Sequence, residues 1–574
     1  MVLLFVGKFA GPTTAQILTQ APPLDVPPSP TEPALPPVEP IEPETLPQPQ
    51  ASPLDVDPAL ADPSTPSSTP EADVSDGCLP LADSTETSFP ATAIEVVGSS
   101  IFQDEIARLV ACYEGQQITL SDLFSLRSQI TQLYIDNGYV TSGAFIPNNQ
   151  FTNATLQVKV IEGSVEEIQI NGLQRLREGY VRSRLAGATR PPLNQQHLQE
   201  TLQRLQLDPN IGQVNAELTA GRAPGQSLLI LDLKEPKPWS VVASTDNLRS
   251  PSIGSKGLNL SASYRNLLGI GDTIATSYGL TQGLNLYDVS VAVPLNAADG
   301  TLSVGYNNSG SRIVEDAFED VGIRSETQTV SVGFRQPISR SVSEEFALGL
   351  DFDWRTSQSF ILDDIPFSFS IGPEEGRSQV SALRFSQEWT KRDIRRVLAA
   401  RSQFNLGLNI LGATDNDTGT DGQFFSWIGQ FQWVEQVSPK LLSLIKFNAQ
   451  LTPDSLLPLE RFSLGGVSTV RGYAQNQLVA DNALNASAEL RIPLTRNTNI
   501  LQLAPFIDAG FGWNTMTPDP NDKFLLGTGL GLRWQATPNV FLRTDYGIPL
   551  INTGNRGRSL QDNGFYFSLT YQPN

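Results

Sequence analysis

The 574-residue sequence holds one histidine, two cysteines and two methionines. With His197 alone, catalysis that relies on histidine and any histidine-rich metal site have almost nothing to work with. No Gly-x-Ser-x-Gly elbow occurs, which removes the signature of a serine hydrolase. No metal, cofactor or catalytic residue is expected. Basic tracts are also missing, and the formal net charge of -21 argues against nucleic acid as a partner. No apolar run comes near 20 residues, so helical membrane spans are excluded. Strands that cross a membrane alternate in hydrophobicity and escape that exclusion.

What is present changes character along the chain. Residues 1–16 begin with an apolar run, Val2 to Ala10, followed by small residues, and read as an export-signal remnant. Residues 17–90 are dominated by Pro, Ser, Thr, Asp and Glu, a composition that cannot bury enough surface to offset its ordering entropy. This segment reads as a disordered spacer. Cys78 lies in it, and Cys112 lies in the first folded segment beyond it. In an oxidising compartment the two could form one disulfide; two unrelated thiols are the equal alternative.

Residues 91–163 carry strand, helix, helix, strand, strand. Ile94–Val97 is the first strand, and Thr119 opens a helix whose stripe is Leu120, Leu123, Ile130, Leu133 and Tyr134. Asn137-Gly138 stops it. Residues 164–236 repeat the order: Asn194 caps a helix with Leu198, Leu202 and Leu205, and the closing strands carry Leu218, Leu229 and Leu231. Leu198, Leu202, Leu205, Leu229 and Leu231 lie along a helix and closing strands of this second module, and module core is the plain reading of each.

From Trp239 onward the period is two. Leu258, Leu260, Ala262 and Tyr264 alternate with Asn259, Ser261, Ser263 and Arg265, and some sixteen segments of this kind follow one another. An even strand number, with short turns after the second, fourth and tenth segments and long connections after the fifth, seventh, eleventh and fifteenth, predicts an antiparallel transmembrane β-barrel over residues 237–574. Its polar face, with Arg265, Arg335, Asp351, Asp353, Arg384 and Glu388, is expected to line a wet lumen.

Between the eleventh and twelfth segments lies Leu464-Gly465-Gly466-Val467-Ser468-Thr469-Val470-Arg471-Gly472-Tyr473. Its glycines permit close backbone approach, and its arginine fork suits a fixed carboxylate. Phe506 and Asp508 sit two segments later.

These residues resemble a known family. The two modules, with Tyr113-x-Gly115, Gly138-Tyr139 and Phe145-Ile146-Pro147 in the first, look like POTRA (polypeptide-transport-associated) domains. Phe462-x-Leu464-Gly465-Gly466 leading to Val470-Arg471-Gly472-Tyr473, with Phe506-Ile507-Asp508 on a later strand, resembles the signature of the ShlB/FhaC/HecB two-partner secretion transporters. The resemblance implies that an unfolded secreted partner, a large β-rich exoprotein, is captured by periplasmic modules, with the second-module groove bordered by Leu198, Leu202, Leu205, Leu229 and Leu231 as the expected contact for an extended segment, and passed through a sixteen-stranded barrel. It places the chain in the outer membrane, in contact with its lipid and inserted by the barrel-assembly machinery. It also implies that the Arg471 loop folds into the lumen against the strand bearing Asp508. A BamA-like insertase that folds other membrane proteins is the alternative, since the loop signature marks the wider superfamily.

Overall fold

The structure is a computed structural model that describes residues 54–56, 88–147, 151–152, 155–316, 318–417, 419–554 and 557–573. The export-signal expectation and nearly all of the spacer fall outside these residues. The described chain divides into a module unit, ending at Pro236, and a barrel unit, beginning at Lys237.

In the first module, strand Ala93–Val97 precedes helices α1 (Gln103–Ala111) and α2 (Leu120–Asp136), followed by strands Gly143–Phe145 and Thr155–Ile161. Thr119 and Asp122 form a reciprocal capping box at the start of α2, which satisfies two otherwise orphaned donors. Leu123, Leu126, Ile130 and Tyr134 face the core. Leu120, expected on this stripe, is 45% exposed. The inward stripe runs through Leu123, Leu126, Ile130 and Tyr134, and Leu120 lies to one side of that line around the helix. Burial is the main reason the Tyr134 hydroxyl is pushed up to about 12, and the hydroxyl is tied to Ser99 and Glu162.

The second module repeats the order, with strand Ser164–Asn171, α3 (Glu178–Leu185), α4 (Gln195–Gln206) and strands Gln213–Ala220 and Gln226–Lys234. Asn194 caps α4 by accepting from the His197 amide. The two modules share main-chain bonds: the Leu193 amide donates to the Gly163 carbonyl and the Gln195 amide to the Gly138 carbonyl, at 2.7 and 2.9 Å. Beyond the last strand, Glu235 accepts from the amides of Gln174, Arg175 and Leu176. Burial opposes its charge, but these three donors outweigh it and hold the carboxyl below its ordinary range.

The barrel closes from sixteen antiparallel strands. In chain order they are β1 (Trp239–Asp246), β2 (Gly257–Arg265), β3 (Thr273–Leu280), β4 (Leu284–Pro294), β5 (Thr301–Arg312), β6 (Arg324–Arg340), β7 (Glu344–Ile361) and β8 (Arg377–Arg392). Then come β9 (Arg396–Leu408), β10 (Phe425–Ser438), β11 (Leu441–Leu451), β12 (Asn482–Pro493), β13 (Leu501–Trp513), β14 (Phe524–Thr537), β15 (Val540–Pro549) and β16 (Phe565–Tyr571). A two-residue strand, Ile365–Pro366, pairs with the end of β7. Closure pairs Ala243–Asp246 of β1 with Ser568–Tyr571 of β16.

Period two sets the faces. Leu258, Leu260, Tyr287 and Leu530 stand exposed on the outside, as an apolar solvent around the barrel requires. The polar face points inward, where Arg265, Arg335 and Asp351 are part-exposed while a second group is closed off. Asp353, Arg384 and Glu388 are each less than one-tenth exposed. Cross-strand pairing accounts for this in part, as Arg335 donates to Glu388 and Glu345 at 2.8 and 2.6 Å. The rest is covered by the connection from β11 to β12, residues 452–481, which turns inward.

Candidate lumen loop and its footings

The inward connection has its own order. Ser455–Leu456 pairs in parallel with Thr420–Asp421, a single 3-10 turn follows at Pro458–Glu460, and Phe462–Leu464 pairs antiparallel with Leu478–Ala480. The last pair makes a narrow stem that carries the tip, residues 465–477. The Gly466 amide donates to the Tyr473 carbonyl across the tip at 2.9 Å. Gly465 and Gly466 have φ of 110° and 82°, which side-chain-bearing residues rarely adopt.

Arg471 projects from the tip with 4% of its side chain exposed. Its Nε and Nη2 donate to the two oxygens of Asp508 on β13 at 2.7 and 2.9 Å, and its own amide donates to Asp508 at 3.1 Å. Its Nη1 reaches Glu489 on β12 at 2.6 Å and Asp545 on β15 at 3.2 Å. The guanidinium carbon sits over the Phe506 ring, 3.4 Å from its centroid. This planar group thus meets a fork-shaped acceptor and a ring face together, which a lysine could not do. Two of the three carboxylates are in turn shared with strand arginines: Arg533 holds Glu489 and Asp545, Arg491 holds Glu489, and Arg543 holds Asp545.

The strands behind the tip make room for it. A Cβ on Gly527 of β14 would fall 1.9 Å from the Arg471 carbonyl, and one on Gly547 of β15 would fall 2.3 Å from the Gly472 amide. Gly472, at φ 103°, donates to the Tyr566 hydroxyl, which donates to the Tyr473 carbonyl at 2.6 Å. The Tyr473 hydroxyl sits between the carbonyls of Leu526 and Ile551. Val470 and Tyr473 pack with Leu464, Leu478 and Leu525.

Gly465, Gly466, Val470, Arg471, Gly472, Tyr473, Phe506 and Asp508 are therefore brought together. Glu489, Asp545 and Tyr566 belong to the same cluster and were missed. Their only sequence signal is an inward phase on strands whose neighbours cannot be known before the barrel closes.

The five module leucines are not brought to any surface. Leu198, Leu202, Leu229 and Leu231 are fully buried and Leu205 nearly so, all in the core of the second module. The strand Gln226–Lys234 is central, paired with Gln213–Ala220 on one side and Ser164–Asn171 on the other. These residues cannot touch a passing chain while the module is folded; α4 and the central strand face each other across the module. Cys112 is disulfide-bonded, and Cys78 lies outside the described residues. Among the described residues no acidic, cysteine or histidine cluster is arranged to hold a metal.

Two tandem βααββ modules, a closed sixteen-stranded barrel and an arginine-bearing loop folded into that barrel define an outer-membrane transporter of the POTRA-plus-barrel class. The chain matches the model of the family described as haemolysin secretion/activation protein ShlB/FhaC/HecB over residues 225–534, and that of the ShlB-type POTRA domain over residues 89–163. The first match spans more than half of the chain, and the protein belongs to the ShlB/FhaC/HecB family. It is similar to the outer membrane transporter CdiB of Escherichia coli, 25% identical over 77% of this chain and 75% of that protein. It is also similar to the heme/hemopexin transporter protein HuxB of Haemophilus influenzae strain 86-028NP, 22% identical over 81% of this chain and 85% of that protein. The solved structure of CdiB from Escherichia coli shares the fold with a TM-score of 0.65 and 21% identity, over 90% of this chain and 95% of the other. The protein is thus a two-partner secretion translocator of the outer membrane, with its modules in the periplasm, rather than a BamA-like insertase.

Proposed function

We propose that the loop over residues 452–481 is the barrier a secreted partner must displace, and that the Arg471 cluster sets how firmly it is held. The observation that carries this is Arg471 itself, buried at the tip and bonded at once to strands β12, β13 and β15. The cargo is an unfolded exoprotein, and the protein performs no chemistry on it and is not an enzyme. Outer-membrane lipid surrounds the barrel, and the barrel-assembly machinery inserts it.

On this reading residues 1–16 are an export-signal remnant, 17–90 a spacer, 91–163 and 164–236 the two modules and 237–574 the barrel. The disulfide at Cys112 joins Cys78 and ties the spacer to the first module. Cargo meets the modules through side chains that are in water. Leu120 and Phe124, one turn apart on α2, are both exposed and take the place of the buried leucines. Module edges supply main-chain bonds to the same extended segment.

Removing one partner from a buried ion pair costs about 3–5 kcal/mol. Arg471→Ala and Asp508→Ala are therefore expected to unseat the loop from its working position, so that export of the partner is impaired more than barrel insertion. The measurement is secreted partner per folded barrel in the membrane, with folding read from heat-modifiable gel mobility. Export equal to the parent in both variants would overturn the loop's role.

A further inference from the structure

The loop has a second footing, which the Arg471 cluster does not explain. At its base Glu460 is buried, with 5% of its side chain exposed, and its two oxygens accept from Arg384 of β8 at 2.8 and 3.0 Å. Arg355 of β7 adds a bond to Glu460 at 3.3 Å and one to the Leu459 carbonyl at 3.2 Å. The remaining nitrogen of Arg384, Nε, donates to Asp353 at 2.6 Å. Around this pair Leu456, Leu457 and Leu459 pack on Val380, Ala382 and Phe424.

The two footings differ in sign and in place. At the tip the loop supplies the cation and the wall the carboxylates; at the base the loop supplies the carboxylate and the wall the cations. The tip is held by β12, β13 and β15, the base by β7 and β8. In a closed ring of sixteen strands the wall contacts of base and tip lie from four (β8 to β12) to eight (β7 to β15) strands apart, so the loop is held to different sides of the ring. A loop fixed at one point could swing aside about it. A loop fixed to two separate parts of the wall is a strap across part of the lumen.

We propose that Glu460, through Arg384 and Arg355, is a second latch on this strap, and that passage of cargo requires the base latch to open as well as the tip. The proposal rests on the reading of the loop as the barrier. Glu460 is a positioning residue: it touches the wall and acts on transport through the loop. The latches are built from different strands and share no side chain, so their effects should multiply, whereas residues within one latch should not.

The test is ion conductance of purified protein in planar bilayers, with folded barrel matched between variants. Glu460→Ala, which leaves Arg384 bonded to Asp353, is expected to raise the open fraction by more than about tenfold over the parent, as loss of one partner of a buried charge pair does. Adding Arg471→Ala should raise it by about the product of the two single effects. Adding Arg384→Gln to Glu460→Ala should raise it no further. Should the pair with Arg384→Gln fold poorly, Glu460→Ala with and without Arg471→Ala decides alone. Glu460→Ala indistinguishable from the parent, and the double variant indistinguishable from Arg471→Ala, would overturn the second latch and leave the tip reading standing. No change with Arg471→Ala either would overturn the barrier itself.

Discussion

In the modules Leu198 and Leu202 are withdrawn from water, whereas in the barrel Leu258 and Leu260 stand outermost and Arg471 and Asp508 are among the most buried residues. The two regions are inverted copies of one rule: apolar atoms go to the apolar phase, which is the protein's own core in one case and lipid in the other. The inversion brings a second difference. A module is held by non-directional packing, which tolerates small shifts. The barrel interior is held by charged pairs with fixed partners, which can stay closed or be exchanged. Only the second kind of interior suits a gate.

Substitutions of one leucine class or the other sharpen this comparison. The largest effect is expected from Leu202→Asp, which places an unpaired charge in the second module's core and should unfold that module. Protease resistance of residues 164–236 should vanish while the barrel stays heat-modifiable. A folded module that fails only to bind cargo would instead restore Leu202 as a contact residue. A smaller loss is expected from Leu260→Arg on the lipid face, about 2–4 kcal/mol near the midplane, read as a lower yield of folded barrel in bilayers of matched thickness. The smallest is expected from Leu120→Ser with Phe124→Ser. Both side chains are already in water, so the module's melting temperature should hold within a few degrees, a change of about 0.5 kcal/mol or less. Export should fall about twofold to fivefold, as a loss near 0.5–1 kcal/mol of contact would give. An unchanged export rate would remove α2 as a cargo surface.

Much of the fold could be read from single residues and their spacing. Asn194 and Thr119 announced helix starts because a side-chain oxygen at that position bonds an amide two or three residues on. The sixteen strands were legible because a lipid-facing strand must alternate. Arg471 and Asp508 were visible as a pair through the motifs they occupy. Glu460 was not, since one glutamate after Pro-Leu looks like any polar loop residue, and nothing local says that Arg384 waits 76 positions earlier. The module leucines misled for a related reason. A stripe at helical spacing shows that a face is apolar, not whether the chain's own sheet or a visitor covers it.

By itself the sequence determined the local periods, the caps and turns, the inverted apolar order of the barrel and the order of modules before strands, because each depends on residues within a few positions of one another. Only the tertiary structure decided which carboxylates surround Arg471, that Glu460 meets Arg384, and that the loop covers part of the lumen face. Those contacts join strands far apart in the chain, and they exist only once the sheet has closed on itself and the loop between β11 and β12 has turned inward.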